Sequence, residues 1–231
     1  MVGIMELKKI NVIITGSTGM VGEGVLHECL RHQSVKSVLV INRKPCGVTH
    51  EKLKEIIHSD FHNLTLIQDQ LTGFDAIYFC MGVSSVGMKE TDYKKITYDL
   101  TMHFADTLYR INPEITFTYV SGSGTDGSGN GRIMWARVKG KTENDLIKKF
   151  KNAYMFRPGY IQPTKGLKNA YKIYRFTEPF YPILKTLFPK YVCTLEDLGK
   201  AMLQCTLSGY EKRILENKDI TKIVKMIDIV N

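Results

Sequence analysis

Apolar residues along this chain alternate between two periods. Lys9 to Thr15, KINVIIT, is a β-branched run that stops at a glycine, which predicts a buried strand. From Met20 to His32 the apolar positions Val21, Val25, Leu26, Cys29 and Leu30 return at helical spacing, so a tight glycine turn joins strand to helix. Val35 to Ile41 (VKSVLVI), Leu53 to His58 (LKEIIH) and Asp75 to Met81 (DAIYFCM) read as strands two, three and four. A long helical pattern from Lys94 to Ile111 closes at Asn112-Pro113, and Ile115 to Val120 (ITFTYV) follows as strand five. A helix is expected from about Arg132 to Phe150, then a sixth strand from Asn152 to Arg157 that stops at Pro158-Gly159. Such alternation predicts the α/β class, a doubly wound parallel sheet covered on both faces.

After Pro163 the pattern changes. Tyr171 to Tyr191 is rich in aromatics and prolines, and Thr194-Leu-Glu-Asp197 has the form of a capping box opening a helix to Leu207. Residues 1–231 are expected to form a single domain, with about 164–231 including a small C-terminal cap on the substrate side.

At 231 residues, with 43% hydrophobic and 24% charged positions, the chain is long enough for one large core and carries no disordered segment. The net charge of +9 suits nucleic acid, an acidic membrane surface or a phosphorylated ligand. The lysines are scattered, and neither zinc-finger spacing nor an RNA-binding aromatic signature is present, so a basic soluble surface is expected and no nucleic-acid partner. Five cysteines, Cys29, Cys46, Cys80, Cys193 and Cys205, include no CxxC pair and predict reduced thiols and a cytoplasmic protein. Met1 to Ile10 lacks the apolar stretch of a signal peptide, and no segment reaches the roughly 18 apolar residues of a spanning helix. His58 and His62 have a metal-ligand spacing for a helix, but they flank Asp60-Phe61 at a strand end, so no metal is expected.

The turn TGSTGMVG carries the chemistry. Gly16 permits the turn, Gly19 lets the backbone approach a pyrophosphate, and Gly22 lets the helix pack on the strand. The helix N-terminus, with the amides of Met20 and Val21, offers oriented N–H donors, and Ser17 and Thr18 offer hydroxyls. At the end of strand two, where an acid would accept from the ribose 2′-hydroxyl of NAD, the chain reads Asn42-Arg43-Lys44. Arg43, with Lys44 beside it, can pair a 2′-phosphate, which predicts NADP over NAD. Asp60 and Phe61 are candidates for the adenine, and Gly82 for a close pass beside the cofactor ribose.

With TGSTGMVG, DF, DAIYFCMG, YVSGSGTD, WARVKGKTE and FRPGYIQP in that order, the stretch from Lys9 to Pro163 resembles the short-chain dehydrogenase/reductase superfamily, in its NAD-dependent epimerase/dehydratase-like branch. The HIV Tat-interacting tumour suppressor family of oxidoreductase-like proteins is similar in its strand-five serine, VKG helix and RPG turn. The resemblance implies an NAD(P)-binding Rossmann fold, in which Pro158 and Gly159 also line the cofactor. It further implies a serine that orients the substrate oxygen, a tyrosine that donates a proton and a lysine that lowers the tyrosine's pKa and holds the ribose. Ser123 or Ser121 matches the serine and Lys139 the lysine. The tyrosine does not match: four residues before Lys139 stands Trp135, whose indole can position a carbonyl or stack on a ligand but has no useful acidity.

Tyr160, Tyr93 and Tyr98 are alternative acids, each also readable as a packed aromatic. The loop SGSGTDGSGNG is open to two readings, a flexible linker or a lid over the substrate. Two functions follow. One is an NADP-dependent oxidoreductase or epimerase-like enzyme acting on a small carbonyl or hydroxyl substrate, with Ser123, Lys139 and Trp135 on the substrate side. The other is a non-catalytic NADP(H)-binding redox sensor or regulator with a protein partner. A homodimer is open under either.

Overall fold

The computed structural model describes residues 9–169 and 181–230. Its strands are β1 (Ile10–Thr15), β2 (Val35–Asn42), β3 (Leu53–Ile57), β4 (Ala76–Phe79), β5 (Thr116–Val120), β6 (Ala153–Arg157), β7 (Tyr160–Gln162), β8 (Val192–Thr194) and β9 (Ile214–Glu216). Its helices are α1 (Met20–Arg31), α2 (Glu90–Lys94), α3 (Leu100–Ile111), α4 (Met134–Lys149), α5 (Tyr181–Leu187), α6 (Leu195–Ser208) and α7 (Asn217–Val230). Seven strands form one sheet in the order β3-β2-β1-β4-β5-β6-β9, and each pairing in it is parallel. The strand order reverses direction between β1 and β4, the place where an open α/β sheet leaves a crevice at its carboxyl edge.

The period of two in the strands sorts the core into two layers. Val12 and Ile14 of β1 face α1, α6 and α7, where Val25, Leu26, Leu198, Met202 and Ile220 are fully buried. Ile13, Phe79, Phe117 and Tyr119 face the other way, onto Phe104, Leu108 and Leu146 of α3 and α4. Burial on both faces explains why these strands read as continuous apolar runs rather than as alternations. Asp75, just before β4, accepts a hydrogen bond from the Asn11 backbone N–H at 2.8 Å and so fixes the start of the strand against β1.

Several elements differ from the sequence-based expectations. The helix expected from Lys94 begins at Glu90, and α2 runs into α3 through a π-helical turn over Lys95–Asp99, where the Thr101 hydroxyl donates to the Thr97 carbonyl at 2.5 Å. Between β3 and β4, where no element was expected, the chain crosses with a 3-10 segment, Thr65–Leu71. The stretch 164–231, expected to include a cap, also contains part of the body: β9 pairs with β6, and α6 lies against α1. Thr194 and Asp197 do form the capping box, with bonds of 2.9 and 2.8 Å. The aromatic segment beginning at Tyr171 lies outside the described residues as far as Phe180.

Candidate cofactor and substrate site

Gly16 leaves β1 with φ +75°, and a Cβ there would stand 2.9 Å from the Cys80 carbonyl and the Met81 nitrogen at the end of β4. A Cβ on Gly22 would stand 2.2 Å from the Gly16 carbonyl oxygen, so only glycine lets α1 start this close to β1. The turn is closed by the Gly19 N–H donating to the Gly16 carbonyl at 2.9 Å. Gly19 caps α1 without any side-chain oxygen on the first-turn amides of Met20, Val21 and Gly22. Uncapped amides at the positive end of a helix dipole form an anion site. At the end of β1 the Thr15 hydroxyl is buried without a hydrogen-bond partner among the described residues. The cradle fits a dinucleotide pyrophosphate.

The side chains around the cradle divide by role. Met20 is 5% exposed and belongs to the core, and Val21 packs on that core, so both present backbone to a ligand. Thr18 is exposed. The Ser17 hydroxyl, expected to face a phosphate, is instead buried and exchanges hydrogen bonds with the Asn42 amide at 2.8 and 3.0 Å. Asn42 in turn donates to Glu55 of β3 at 2.8 Å, and the same Glu55 oxygen accepts the Cys46 N–H at 2.9 Å. A carboxylate therefore does stand beside the end of β2, supplied by the neighbouring strand, which a reading of β2 alone misses. Arg43 and Lys44 are exposed in the loop it holds.

Asp60 is exposed and its carboxylate accepts the His62 N–H at 2.9 Å. The Phe61 ring is buried at 4% exposure and stacks on Phe104, so this residue offers an adenine only backbone, contrary to a side-chain contact. His58 holds the carbonyls of Asp60 and Asn63 at 2.7 and 2.8 Å through Nε2. Among the described residues no cluster of three metal-ligating side chains occurs. Gly82, after β4, is exposed with open space in front of it, room for a close approach of ligand to backbone. Glu23, buried in the first turn of α1, accepts the N–H groups of Lys168 and Asn169, both at 2.8 Å, and fastens that segment to the nucleotide helix.

Across the β1/β4 crevice, α4 presents Trp135, Lys139 and Glu143 at intervals of four, on one face. A Cβ on Gly140 would fall 1.8 Å from the Asp126 carbonyl oxygen, so glycine allows the loop after β5 to lie on α4. That loop is neither a free linker nor detached. Asp126 accepts from Ser128 N–H at 2.9 Å and Gly131 N–H at 2.7 Å, and the Trp135 ring edge is 3.7 Å from where a Gly124 Cβ would be. The Ser121 and Ser123 N–H groups donate to the carbonyls of Phe156 and Pro158, both at 2.9 Å, which joins this loop to the buried Pro158. Gly159 is pressed against the Tyr191 carbonyl, 2.2 Å from a Cβ position.

The two candidate serines have different surroundings. Ser121 is buried and its hydroxyl donates to Glu143 at 2.5 Å, while Ser123 is exposed. Lys139 is half-buried and its ammonium donates to the Ser121 carbonyl at 2.5 Å. Burial pushes its pKa down to about 8, with the Glu143 carboxylate opposing the shift. Glu143 is fully buried and taken by Arg157, whose Nε lies 3.0 and 3.1 Å from its two oxygens and whose Nη2 lies 2.5 Å from Oε2. Arg157 also reaches Glu216 of β9 at 3.1 Å. This Ser121–Glu143–Arg157–Glu216 network was not anticipated from sequence; the four-residue interval between Lys139 and Glu143 and the arginine before Pro158-Gly159 were its available signals.

The alternative acids lie elsewhere. Tyr160 is half-buried and its hydroxyl donates to Gln162 of the same strand at 3.0 Å. Tyr98 donates to Asp145 at 2.7 Å and lies under Lys141, two residues round α4 from Lys139. Tyr93 is in the core, and burial raises its phenol above the usual range. A polar cavity of about 260 Å³ lined by Asp75, Asn112, Thr116 and Asn152 opens at the opposite, amino edge of the strands, away from this crevice.

Residues 12–150 match the model of a family described as the NAD dependent epimerase/dehydratase family. Among curated proteins the chain is similar to Protein FMP52-1, mitochondrial, of Scheffersomyces stipitis, 26% identical over 166 residues that cover 69% of this chain and 72% of that protein. Protein fmp52-1, mitochondrial, of Aspergillus oryzae is 28% identical over 158 residues, 65% of this chain and 66% of that protein. Among solved structures, a UDP-N-acetylglucosamine 4-epimerase from Methanobrevibacter ruminantium superposes with a TM-score of 0.64 at 15% identity, covering 96% of this chain and 83% of that one. The Bordetella bronchiseptica enzyme WbmF in complex with NAD+ gives 0.64 at 14% identity, over 96% and 79%. These structures share the Rossmann-type fold.

The relatives overturn the expectation of a cytoplasmic protein, because they are named as mitochondrial. The thiols are free, and burial raises those of Cys80, Cys193 and Cys205 to about 12, but free thiols do not single out the cytoplasm. Among the described residues no helix is long and apolar enough to cross a membrane.

Proposed function

The chain belongs to the NAD dependent epimerase/dehydratase family, and on that premise we propose that it binds NADP(H) and catalyses hydride exchange at a carbonyl or hydroxyl carbon of a small molecule. The observation that carries this reading is the pairing of two half-sites across one crevice: the uncapped glycine cradle of α1, and the half-buried Lys139 of α4 beneath the strand-five loop. When bound, the cofactor supplies or accepts a hydride at nicotinamide C4.

In this reading the amides of Met20, Val21 and Gly22 hold the pyrophosphate, and Gly19, without a side chain, lets it approach. Arg43 and Lys44, exposed beyond β2, take the 2′-phosphate, while one oxygen of the Glu55 carboxylate beside them is occupied by the Asn42 and Cys46 N–H groups it accepts. Asp60 and the Phe61 backbone border the adenine, and Gly82, Pro158 and Gly159 border the nicotinamide half. Lys139 holds the ribose. Ser123, whose exposed hydroxyl contrasts with that of Ser121 on Glu143, orients the substrate oxygen, and Trp135 forms an apolar wall beside it. Trp135 also favours a second reading, a cofactor-binding regulator without turnover, because an indole cannot replace a titrating phenol.

Calorimetric titration with NADPH and NADH, repeated on Arg43→Ala, tests the assignment. Removing one charge-assisted phosphate contact is expected to weaken NADPH by about 1.5–3 kcal/mol, roughly 10- to 150-fold, and leave NADH unchanged. Equal weakening of both nucleotides rejects the 2′-phosphate role of Arg43, and no binding of either rejects the cofactor. A panel of aldehydes and ketones monitored by NADPH absorbance then separates enzyme from regulator.

A further inference from the structure

We infer that Lys139 is the group that exchanges a proton with the substrate oxygen in this chain, a role that rests on the hydride-transfer reading above. The geometry speaks against each alternative acid that the sequence offered. Trp135 occupies the position one helical turn before Lys139 and has no acidic proton. Tyr98 is bonded to Asp145 and Lys141, Tyr160 to Gln162, and Tyr93 lies in the core. The Ser121 hydroxyl is directed at Glu143 and the Phe156 carbonyl, at 2.5 and 3.1 Å.

Lys139 differs from the other lysines of α4 in pairing with no carboxylate among the described residues. Lys141 pairs with Asp145 at 2.6 Å and Lys149 with Asp106 at 2.8 Å. Glu143, the acid one turn from Lys139, is taken up by the fork of Arg157. The charged groups around the ammonium are therefore Glu143, Arg157 and Glu216, whose net charge of −1 opposes the loss of its proton without outweighing its burial, while the phenols of Tyr119 and Tyr93 are kept neutral by burial. One Lys139 N–H is held by the Ser121 carbonyl, which leaves two for a ligand. An ammonium that is partly desolvated and lacks a direct counter-ion releases its proton near neutral pH, and its value of about 8 matches what general acid–base catalysis requires.

In the reducing direction the carbonyl carbon gains the hydride as the nicotinamide is oxidised, and the C=O π pair moves onto oxygen. That pair forms a bond to a proton released by Lys139 Nζ. The neutral amine then recovers a proton from solvent. In the oxidising direction the neutral amine removes the hydroxyl proton. The same nitrogen can hold the ribose with its remaining N–H, so positioning and proton transfer reside on one side chain.

The test combines a titration with kinetics. Protein carrying 13Cε-lysine is titrated by NMR without cofactor, the Lys139 resonance being assigned by its loss in Lys139→Arg, or in Lys139→Met should the first variant not fold. One lysine is expected to titrate near pH 8, and titration of Lys139 above pH 10 overturns the proposal. Arginine keeps the charge but does not give up its proton, so Lys139→Arg is expected to lose roughly 10²–10⁴-fold in kcat measured at saturating NADPH. Wild-type kcat/KM for reduction is expected to fall above the pH of the NMR transition. Unchanged turnover in Lys139→Arg, or a wild type that binds NADPH and reduces no carbonyl, overturns the assignment. Failure of the parent reading looks different, since the wild type then binds no NADPH, and the proposal falls with it.

Discussion

Arg157→Met isolates the buried ion pair beneath the site. Arg157 is 12% exposed and places two nitrogens on the fully buried carboxylate of Glu143, with Glu216, 42% exposed, as its other partner. Methionine fills much of the same volume but leaves Glu143 as a buried charge with the Ser121 hydroxyl as its remaining strong donor among the described residues. Removing one partner of a buried pair costs about 3–5 kcal/mol, because the remaining charge stays desolvated. For a chain of this size that corresponds to roughly 6–20 °C in Tm. The assay is urea unfolding followed by fluorescence of Trp135, the single tryptophan, which lies on the same face of α4 as Glu143.

The double variant Arg157→Met, Glu143→Met removes both charges, and replacing a buried pair by apolar residues is often close to neutral. It is expected to be more stable than Arg157→Met by about 2 kcal/mol or more. A single variant that loses less than about 1 kcal/mol, or a double variant weaker than the single, would refute the claim that the pair is desolvated and coupled.

Two further predictions address the cradle and the lysine. Gly22→Ala forces a methyl to within 2.2 Å of the Gly16 oxygen, so a loss of at least 1–3 kcal/mol and of NADPH binding is expected in thermal melts and calorimetry; Gly82→Ala, with open space in front of it, should keep its stability and lose affinity alone. Lys139 titrates near 8 in the folded protein against an ordinary value of 10.5, so the unfolded chain holds a proton that the folded one lacks between those values. Its contribution to stability therefore rises with pH across that window. Lys139→Met is expected to raise Tm relative to wild type at pH 7 and to lose that advantage above pH 10, as read by melts across the range.

Much of the sheet was legible because strands buried on both faces are continuous apolar runs bounded by glycine, proline or asparagine. KINVIIT and ITFTYV are such runs, and β1 and β5 lie within them. β7, β8 and β9 escaped because three residues carry no period, and the π-helical turn at Lys95–Asp99 escaped because the apolar pattern is helical on both sides of it. The glycine cradle was legible as a motif with a steric reason at each position. What sequence could not supply was the use of each polar side chain. Ser17 and Ser121 look like ligand donors on paper, yet both hydroxyls are bound by Asn42 and Glu143, partners distant in sequence. Glu55 likewise reaches the end of β2 only through the pairing of β3 with β2.

The seventh strand of the sheet is β9, residues Ile214–Glu216, and α6, which follows β8, packs on α1 near the opposite end of the chain. During synthesis the nucleotide cradle leaves the ribosome well before α6, its packing partner. Until residues 195–216 emerge, the edge of β6 is unpaired and the apolar face of α1 is without α6. The nascent chain thus carries an open strand edge and a bare helix face over that interval, the condition in which a protein depends on chaperones or speed to avoid aggregation. A truncation that keeps the glycine turn but stops before residue 214 makes that transient state permanent, and such a fragment should be recovered as aggregate rather than as a minimal nucleotide-binding unit.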